Sequence, residues 1–298
     1  MKKILIVVNS YSDNINVKYK SQHIKDEVNK FGFECDILKA NDLIFITDGN
    51  NIYSSLLQDY SLCFYLDKDN YLARAISFYM PMYNSYESLI LSDDKMLSIL
   101  NLKDKNIKCP LTISNPLCYV DNLSSVEVDK FLNKVEEILS FPLVLKLVHG
   151  SLGKQVFLIN NKEELKSNYY LYKNIPHIYE EFISYKKGDD YRLIVVGDKV
   201  IAAMERINEK DFRSNIALGG KGYDVTSSIS KDFINTAIEV TKALKLDYAG
   251  IDLAIDENNK PIFLEANGNA FFTEIEKVTS INIAHHLVRY VLTKENLI

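Results

Sequence analysis

The period of the apolar pattern changes block by block along the chain. "KILIVVN" at 3–9 is a short unbroken apolar run with strand composition. "SQHIKDEVNKFG" spaces its apolar residues as a helix does, "FECDILKAND" and "YSLCFYLD" return to strand character, and "NYLARAISFYM" is helical again. Strand, helix and strand in that order predict a small open α/β layer over 1–91. Segment 84–94 passes into a helix and "NIKCPLTI" after it reads as a strand, so a boundary is expected near 91.

The second unit, 92–182, contains the helix "SVEVDKFLNKVEEIL" and then "FPLVLKLVHGSLGKQVFLIN", two apolar strands at 143–148 and 156–159 around a glycine-containing loop. The third, 183–298, holds "DYRLIVVGDKVIAAMERI", read as two strands joined by a tight Gly-Asp turn, then the helix "FINTAIEVTKALK". A hairpin follows, "YAGIDLAIDENNKPIFLEANGNAFF", with the turn residues "DENNKP" between two apolar runs. No internal repeat is visible.

That hairpin raises a chemical question. With 257–260 as the loop, Asp256 pairs with Pro261 and Asp252 falls opposite Glu265, at the roughly 4.5–5.5 Å of directly opposed Cβ atoms. Alternation puts Gly250, Asp252 and Ala254 on one face with Phe263, Glu265 and Asn267, and sends Ile251, Leu253, Ile262 and Leu264 to the other. Opposed carboxylates repel unless a positive group sits between them, and Mg²⁺ takes carboxylate oxygens and an Asn carbonyl, leaving its other positions to water and phosphate. The alternative is an acidic pair on a solvated face.

Composition narrows the classes. A hydrophobic fraction of 47% and a charged fraction of 25% are those of a folded domain, and the net charge of −5 without a Lys/Arg block argues against nucleic acid as a partner. Cys35, Cys63, Cys109 and Cys118 occur singly, without zinc-ligand spacing, and are expected to be reduced and structural. His285 and His286 fall in a helical apolar pattern and read as packing. The apolar run after "MKK" is too short for a signal segment, and no run approaches the roughly 20 apolar residues of a membrane span. The expectation is a cytoplasmic protein without a membrane partner.

Three further stretches bear on anions. "HGSLGKQ" lacks the Walker A spacing, but its glycines let backbone N–H groups close over a phosphate; it also reads as an ordinary hairpin turn. Lys146, flanked by apolar residues in "LVLKLV", needs an anion if it is buried and none if its strand is an exposed edge. Lys95 follows an Asp-rich helix start of a routine kind. "RINEKDFRSNIALGGKG" concentrates Arg206, Arg213 and Asn215 before a glycine cluster, which suits either a transferring phosphoryl group or a solvated loop.

In order, "SDDKMLSIL", "FPLVLKLVHGSLGKQVFLI", "IYEEFI", "DYRLIVVGDKVIAAMERINEKDFRSNIALGG", "YAGIDLAID", "IFLEAN" and "EIEKVTSINIA" resemble the ATP-grasp superfamily. Within it the resemblance is to the RimK-type carboxylate-amine ligases, a group that includes glutamate ligases acting on a ribosomal protein. It is close over 92–298 and looser before. It implies an α/β and α+β fold: an ATP-grasp fold with ATP between two lobes, preceded by an N-terminal α/β pre-ATP-grasp domain. It also implies a reaction in which a carboxylate becomes an acylphosphate and an amine displaces phosphate.

On that resemblance Lys95 and Lys146 contact the phosphates, Gly150, Ser151 and Gly153 belong to a flap over them, and Glu181, Phe182 and Ile183 form the adenine hinge. Asp190 lies by the ribose. Arg213 and Asn215 touch phosphate and acylphosphate with Arg192 nearby, and Asp252, Glu265 and Asn267 hold Mg²⁺, two ions in the family pattern, with Mn²⁺ as an alternative. The implied partners are a carboxylate and an amine on a small molecule, peptide or protein tail, and the assembly a homodimer or homotetramer. One departure stands out: where the pattern continues with Ser-Pro-Gly this chain has Asn269, Ala270 and Phe271, beside the acceptor, and Phe271 and Phe272 would enlarge an apolar wall. Two rivals stay open, an ATP-binding protein without ligase activity that acts through partner binding, and a kinase that transfers phosphate and stops.

Overall fold

The structure is a computed structural model that describes residues 3–150 and 153–298. Its N-terminal layer runs β1 (Lys3–Val8), α1 (Ile15–Lys30), β2 (Cys35–Lys39), the short β3 (Ile46–Thr47) and β4 (Ile52–Tyr53), β5 (Tyr60–Leu66), α2 (Asn70–Ser77) and β6 (Met82–Tyr83). β2-β1-β5-β6 form a parallel sheet. Ile4 to Val7 are all buried, as a parallel strand covered on both faces requires.

α3 (Tyr86–Asp93) and α4 (Lys95–Leu100) lead to β7 (Thr112–Ser114), α5 (Ser125–Leu139), β8 (Leu143–Leu147), β9 (Val156–Ile159), α6 (Lys162–Tyr172) and β10 (His177–Glu181). β7-β10-β8-β9 make an antiparallel sheet whose apolar face, with Leu143, Leu145 and Tyr179, packs on Val128, Leu132 and Leu165 of α5 and α6. β8 is an interior strand, so Lys146 is not on an open edge.

The last part is β11 (Asp189–Val196), β12 (Lys199–Ile207), β13 (Lys221–Asp224), α7 (Lys231–Ala243), β14 (Tyr248–Ile255), β15 (Pro261–Asn267), α8 (Thr273–Thr279) and α9 (Ile283–Lys294). Its antiparallel sheet runs β13-β12-β11-β14-β15. The expected Gly-Asp turn joins β11 to β12: Gly197 has φ +60° and its ideal Cβ would lie 2.5 Å from the Tyr290 ring, so only glycine fits.

The hairpin of β14 and β15 departs from straight counting. Ile255, not Asp256, pairs with Pro261, and Leu253 faces Phe263. A bulge beyond that pair restores Asp252 opposite Glu265 and Gly250 opposite Asn267. The acidic face is therefore as expected, but Phe263 turns into the core with Ile251 and Leu253, and Leu264 turns to the cleft.

The expected division at 91/92 falls inside α3. One core unites Ile4, Ile6, Ile24 and Phe64 of the N-terminal layer with Ile194 and Met204 of the last sheet and Ile283, Leu287, Val288 and Leu292 of α9. His285 joins the same seam by bonding Glu27 Oε2 at 3.0 Å and stacking on Phe31. Cys35, Cys63 and Cys118 are buried free thiols and Cys109 a half-buried one, in line with the structural reading. Among the described residues no helix is long and apolar enough to cross a membrane.

A shared core predicts shared unfolding. Leu292→Ala, at a fully buried site, should lower stability by about 2–5 kcal/mol, and circular dichroism in urea should show a single transition for both halves. Two separated transitions would contradict the shared core.

Candidate active site

The three layers enclose a cavity of about 560 Å³, within the range of small-molecule sites. Two sheets supply charge to it for the same reason, strand alternation. In "LVLKLV" the residues Leu143, Leu145 and Leu147 go to the helix-covered face, so Val144 and Lys146 must face the cleft. There Lys146 Nζ lies 2.5 Å from Glu180 Oε2, with both side chains almost fully buried.

Across the last sheet Arg192 pairs in register with Asp252, Asp252 with Glu265, and Asp190 with Arg206. Arg192 donates to both carboxylate oxygens of Asp252 at 2.8 and 2.6 Å. Arg206, 2% exposed, donates to both oxygens of Asp190 at 2.6 and 2.5 Å and lies 3.1 Å from Asp252. Burial alone would raise the Asp252 carboxyl, but Arg192 and Arg206 outweigh it and hold the group below its usual range. Burial would likewise lower Arg206, and the two aspartates reverse this.

The remaining expected residues are distributed as follows. Lys95 is buried behind the cleft rather than lining it, with Nζ 3.4 Å from the Val148 carbonyl and 3.6 Å from Glu265. Glu181, Phe182 and Ile183 line the cavity where β10 ends, and the Glu181 N–H donates to Leu111. Asp190 lines it too, but with both oxygens taken by Arg206. Arg213 grips Asp211 through Nε and Nη2 and donates through Nη1 to the Gly153 carbonyl at 2.8 Å, so it ties the loop after β12 to Gly153. Gly153 has φ +70° and its ideal Cβ would lie 2.7 Å from Asn215 Oδ1, leaving no room for a side chain. Gly150 lines the cavity, while Ser151 lies outside the described residues.

Asp252, Glu265 and Asn267 share one face, yet Asp252 is held by arginines, and among the described residues no cluster of three or more His, Cys, Asp or Glu stands ready for a metal. The donor types still fit Mg²⁺. Glu265 is partly exposed, and Asn267 Nδ2 is buried without a hydrogen-bond partner, so no bond through that nitrogen fixes its amide.

Sequence reasoning missed Glu180, the ladder around Arg206, and two residues of the N-terminal layer that line the same cavity, Lys20 and Asp67. The ladder was hidden by a bulge. Counting straight from Val196 and Lys199 sets Glu205 opposite Asp190, and the irregularity at Ile194 and Val195 brings Arg206 there instead.

A charged cleft between two antiparallel sheets, with Gly150 and Gly153 on its wall and an α/β layer beside it, is the architecture of an ATP-grasp enzyme. Residues 92–291 match the RimK-like ATP-grasp domain, and the chain belongs to that family. It is an ATP-dependent carboxylate-amine ligase, and the family uses ATP and magnesium. Over 292 residues it is 29% identical to "Uncharacterized protein MG012" of Mycoplasma genitalium, covering 97% of this chain and 99% of that one. It is 33% identical over 220 residues to a "Probable alpha-L-glutamate ligase" of Legionella pneumophila strain Corby, covering 72% of this chain and 68% of the relative. In fold it resembles the ATP-grasp ligase PsnB, solved with minimal precursor, Mg and ADP, at a TM-score of 0.67 and 16% identity over 98% of each chain.

Removing the central arginine tests the ladder. Arg206→Met leaves two carboxylates short of a buried partner and should cost about 3–5 kcal/mol of folding free energy, read by urea denaturation. A loss under about 1 kcal/mol would show that the ladder is not structural.

Proposed function

We propose that this ligase attaches an amino acid such as glutamate to a small molecule, peptide or protein tail, through an acylphosphate and with Mg²⁺. The observation that carries the reading is the apposition, in one cavity, of the cations Lys146 and Arg192 with the Glu265 and Asn267 donors. Phosphoryl transfer is mostly positioning and charge stabilisation, so such a set suffices without a covalent protein intermediate.

In this reading a carboxylate oxygen of one substrate attacks the γ-phosphorus and ADP leaves. The amine nitrogen then attacks the acyl carbon, phosphate leaves, and the amine gives up a proton. Lys146 and Lys95 bind phosphate oxygens by giving up Glu180 and Glu265, their present partners. Glu181, Phe182 and Ile183 receive the base, and Asp190 keeps Arg206 beside the sugar. Arg213 and Asn215 meet the transferred group under the flap, and Arg192, already fixed by Asp252, faces the acylphosphate oxygens. Asp252, Glu265 and Asn267 would hold the metal, two ions in the fullest form, which would supply charge neutralisation to the nucleotide phosphates.

Inorganic phosphate release from Mg-ATP, followed across amino acids with and without amine acceptors, tests the reading. Release should need carboxylate and amine together, mass spectrometry should find an amide, and Glu265→Gln should cut turnover roughly hundredfold or more. A stable phosphorylated product would point to a kinase, and full activity of Glu265→Gln would remove the metal assignment.

A further inference from the structure

The cations named so far in the cleft or behind it have carboxylate partners. Lys95 sits by Glu265, Lys146 by Glu180, Arg192 by Asp252, Arg206 by Asp190 and Arg213 by Asp211. Lys20 differs. It lies on α1 at 2% exposure, lines the cavity, and takes part in no ion pair among the described residues. Its Nζ donates to the Ala270 carbonyl at 3.0 Å and lies 4.6 Å from the Tyr248 ring centre and 5.0 Å from that of Phe272. Burial, with no counter-charge to offset it, draws this amine down to about 7.

Asp67 is its complement. It too is buried, at 6% exposure, lines the same cavity, and forms no ion pair among the described residues. Oδ1 accepts from Asn9 Nδ2 at 3.0 Å and from the Lys68 N–H at 2.7 Å, while Oδ2 has no hydrogen-bond partner. The Lys20 ammonium and the Asp67 main chain meet one short segment. Asn269 Nδ2 donates to the Asp67 carbonyl at 3.1 Å, and the next residue, Ala270, accepts from Lys20. These are the positions where the chain replaces Ser-Pro-Gly. The replacement is tightly seated, since Tyr248 also donates to the Ala270 carbonyl and an ideal Cβ on Gly250 would come within 2.6 Å of the Ala270 Cβ.

We propose that Lys20 and Asp67 form the subsite for a free amino acid, Lys20 taking its α-carboxylate and Asp67 its α-ammonium. This rests on the ligase reading and deepens it by naming the residues that select one substrate. An unpaired buried cation and an unpaired buried carboxylate are each costly alone, and a zwitterion satisfies both at once. The ammonium has two further donors beyond its bond to Ala270, enough for a carboxylate. A lysine that only braced the 267–272 turn would need its single bond to Ala270 and no charge, so a bracing role and a binding role differ in what they discriminate.

The test is calorimetry on the full chain saturated with Mg-AMPPNP, first with the twenty free L-amino acids, then with the α-amide and the N-acetyl derivative of the tightest binder. Masking either group should weaken binding by about tenfold or more in the wild type. Lys20→Met should bind the free acid and its amide equally weakly, and Asp67→Asn should lose the distinction between free and N-acetyl forms. Both variants should keep wild-type affinity for Mg-AMPPNP. Should a variant fail to fold, the derivative series on the wild type decides by itself. Derivatives binding as well as the free amino acid, or AMPPNP binding with no amino acid binding at all, would overturn the subsite and leave the ligase reading standing. Failure of AMPPNP to bind would count against both.

Discussion

Arg206 is buried between Asp190 and Asp252, and the cleft is arranged around that constraint. A guanidinium at 2% exposure is tolerable only with its charge matched and its donors used. Matching it fixes β11 against β12 and, through Asp252 and Arg192, β11 against β14. The same row ends at Glu265 on β15. Packing of α7 on one side of this sheet and α9 on the other makes its charged end a rigid platform.

Charge pairing also sets the resting condition of the site. Each cation expected to meet phosphate is occupied: Lys146 by Glu180, Lys95 by Glu265, Arg213 by Asp211 and the Gly153 carbonyl. A nucleotide entering such a cleft must exchange partners rather than fill vacancies. On the proposed assignment the exchange at Glu265 would be reciprocal, because Lys95 on moving to phosphate would free the carboxylate proposed for the metal. On that assignment nucleotide and metal would favour each other's binding, through a pair already formed in the protein.

Much of this was legible in the sequence because alternation is so strict. "LVLKLV" puts Lys146 on the face away from three leucines, and the turn-flanked runs of the last hairpin put Asp252 and Glu265 together. The fold class followed from the order of the motifs, and the family match over 92–291 bears it out. What escaped were events one residue long or far apart in the chain. A bulge in each of two hairpins shifted Phe263 into the core and brought Arg206 across from Asp190. Lys20 and Asp67 come from an α-helix and a strand end whose local sequences carry no sign of a site. They became visible only when α1, β5 and the 267–272 turn were seen around one cavity.

On the proposed assignment the cations that meet phosphate, Lys146, Lys95 and Arg213, stay paired with carboxylates until nucleotide and metal arrive together. Calorimetric titration of the protein with Mg²⁺ alone, ATP alone and both together tests it most directly. Either one alone should bind weakly, and binding should be tighter by about tenfold or more when both are present. Tight binding of Mg²⁺ alone, or ATP affinity unchanged by removing the metal, would contradict it.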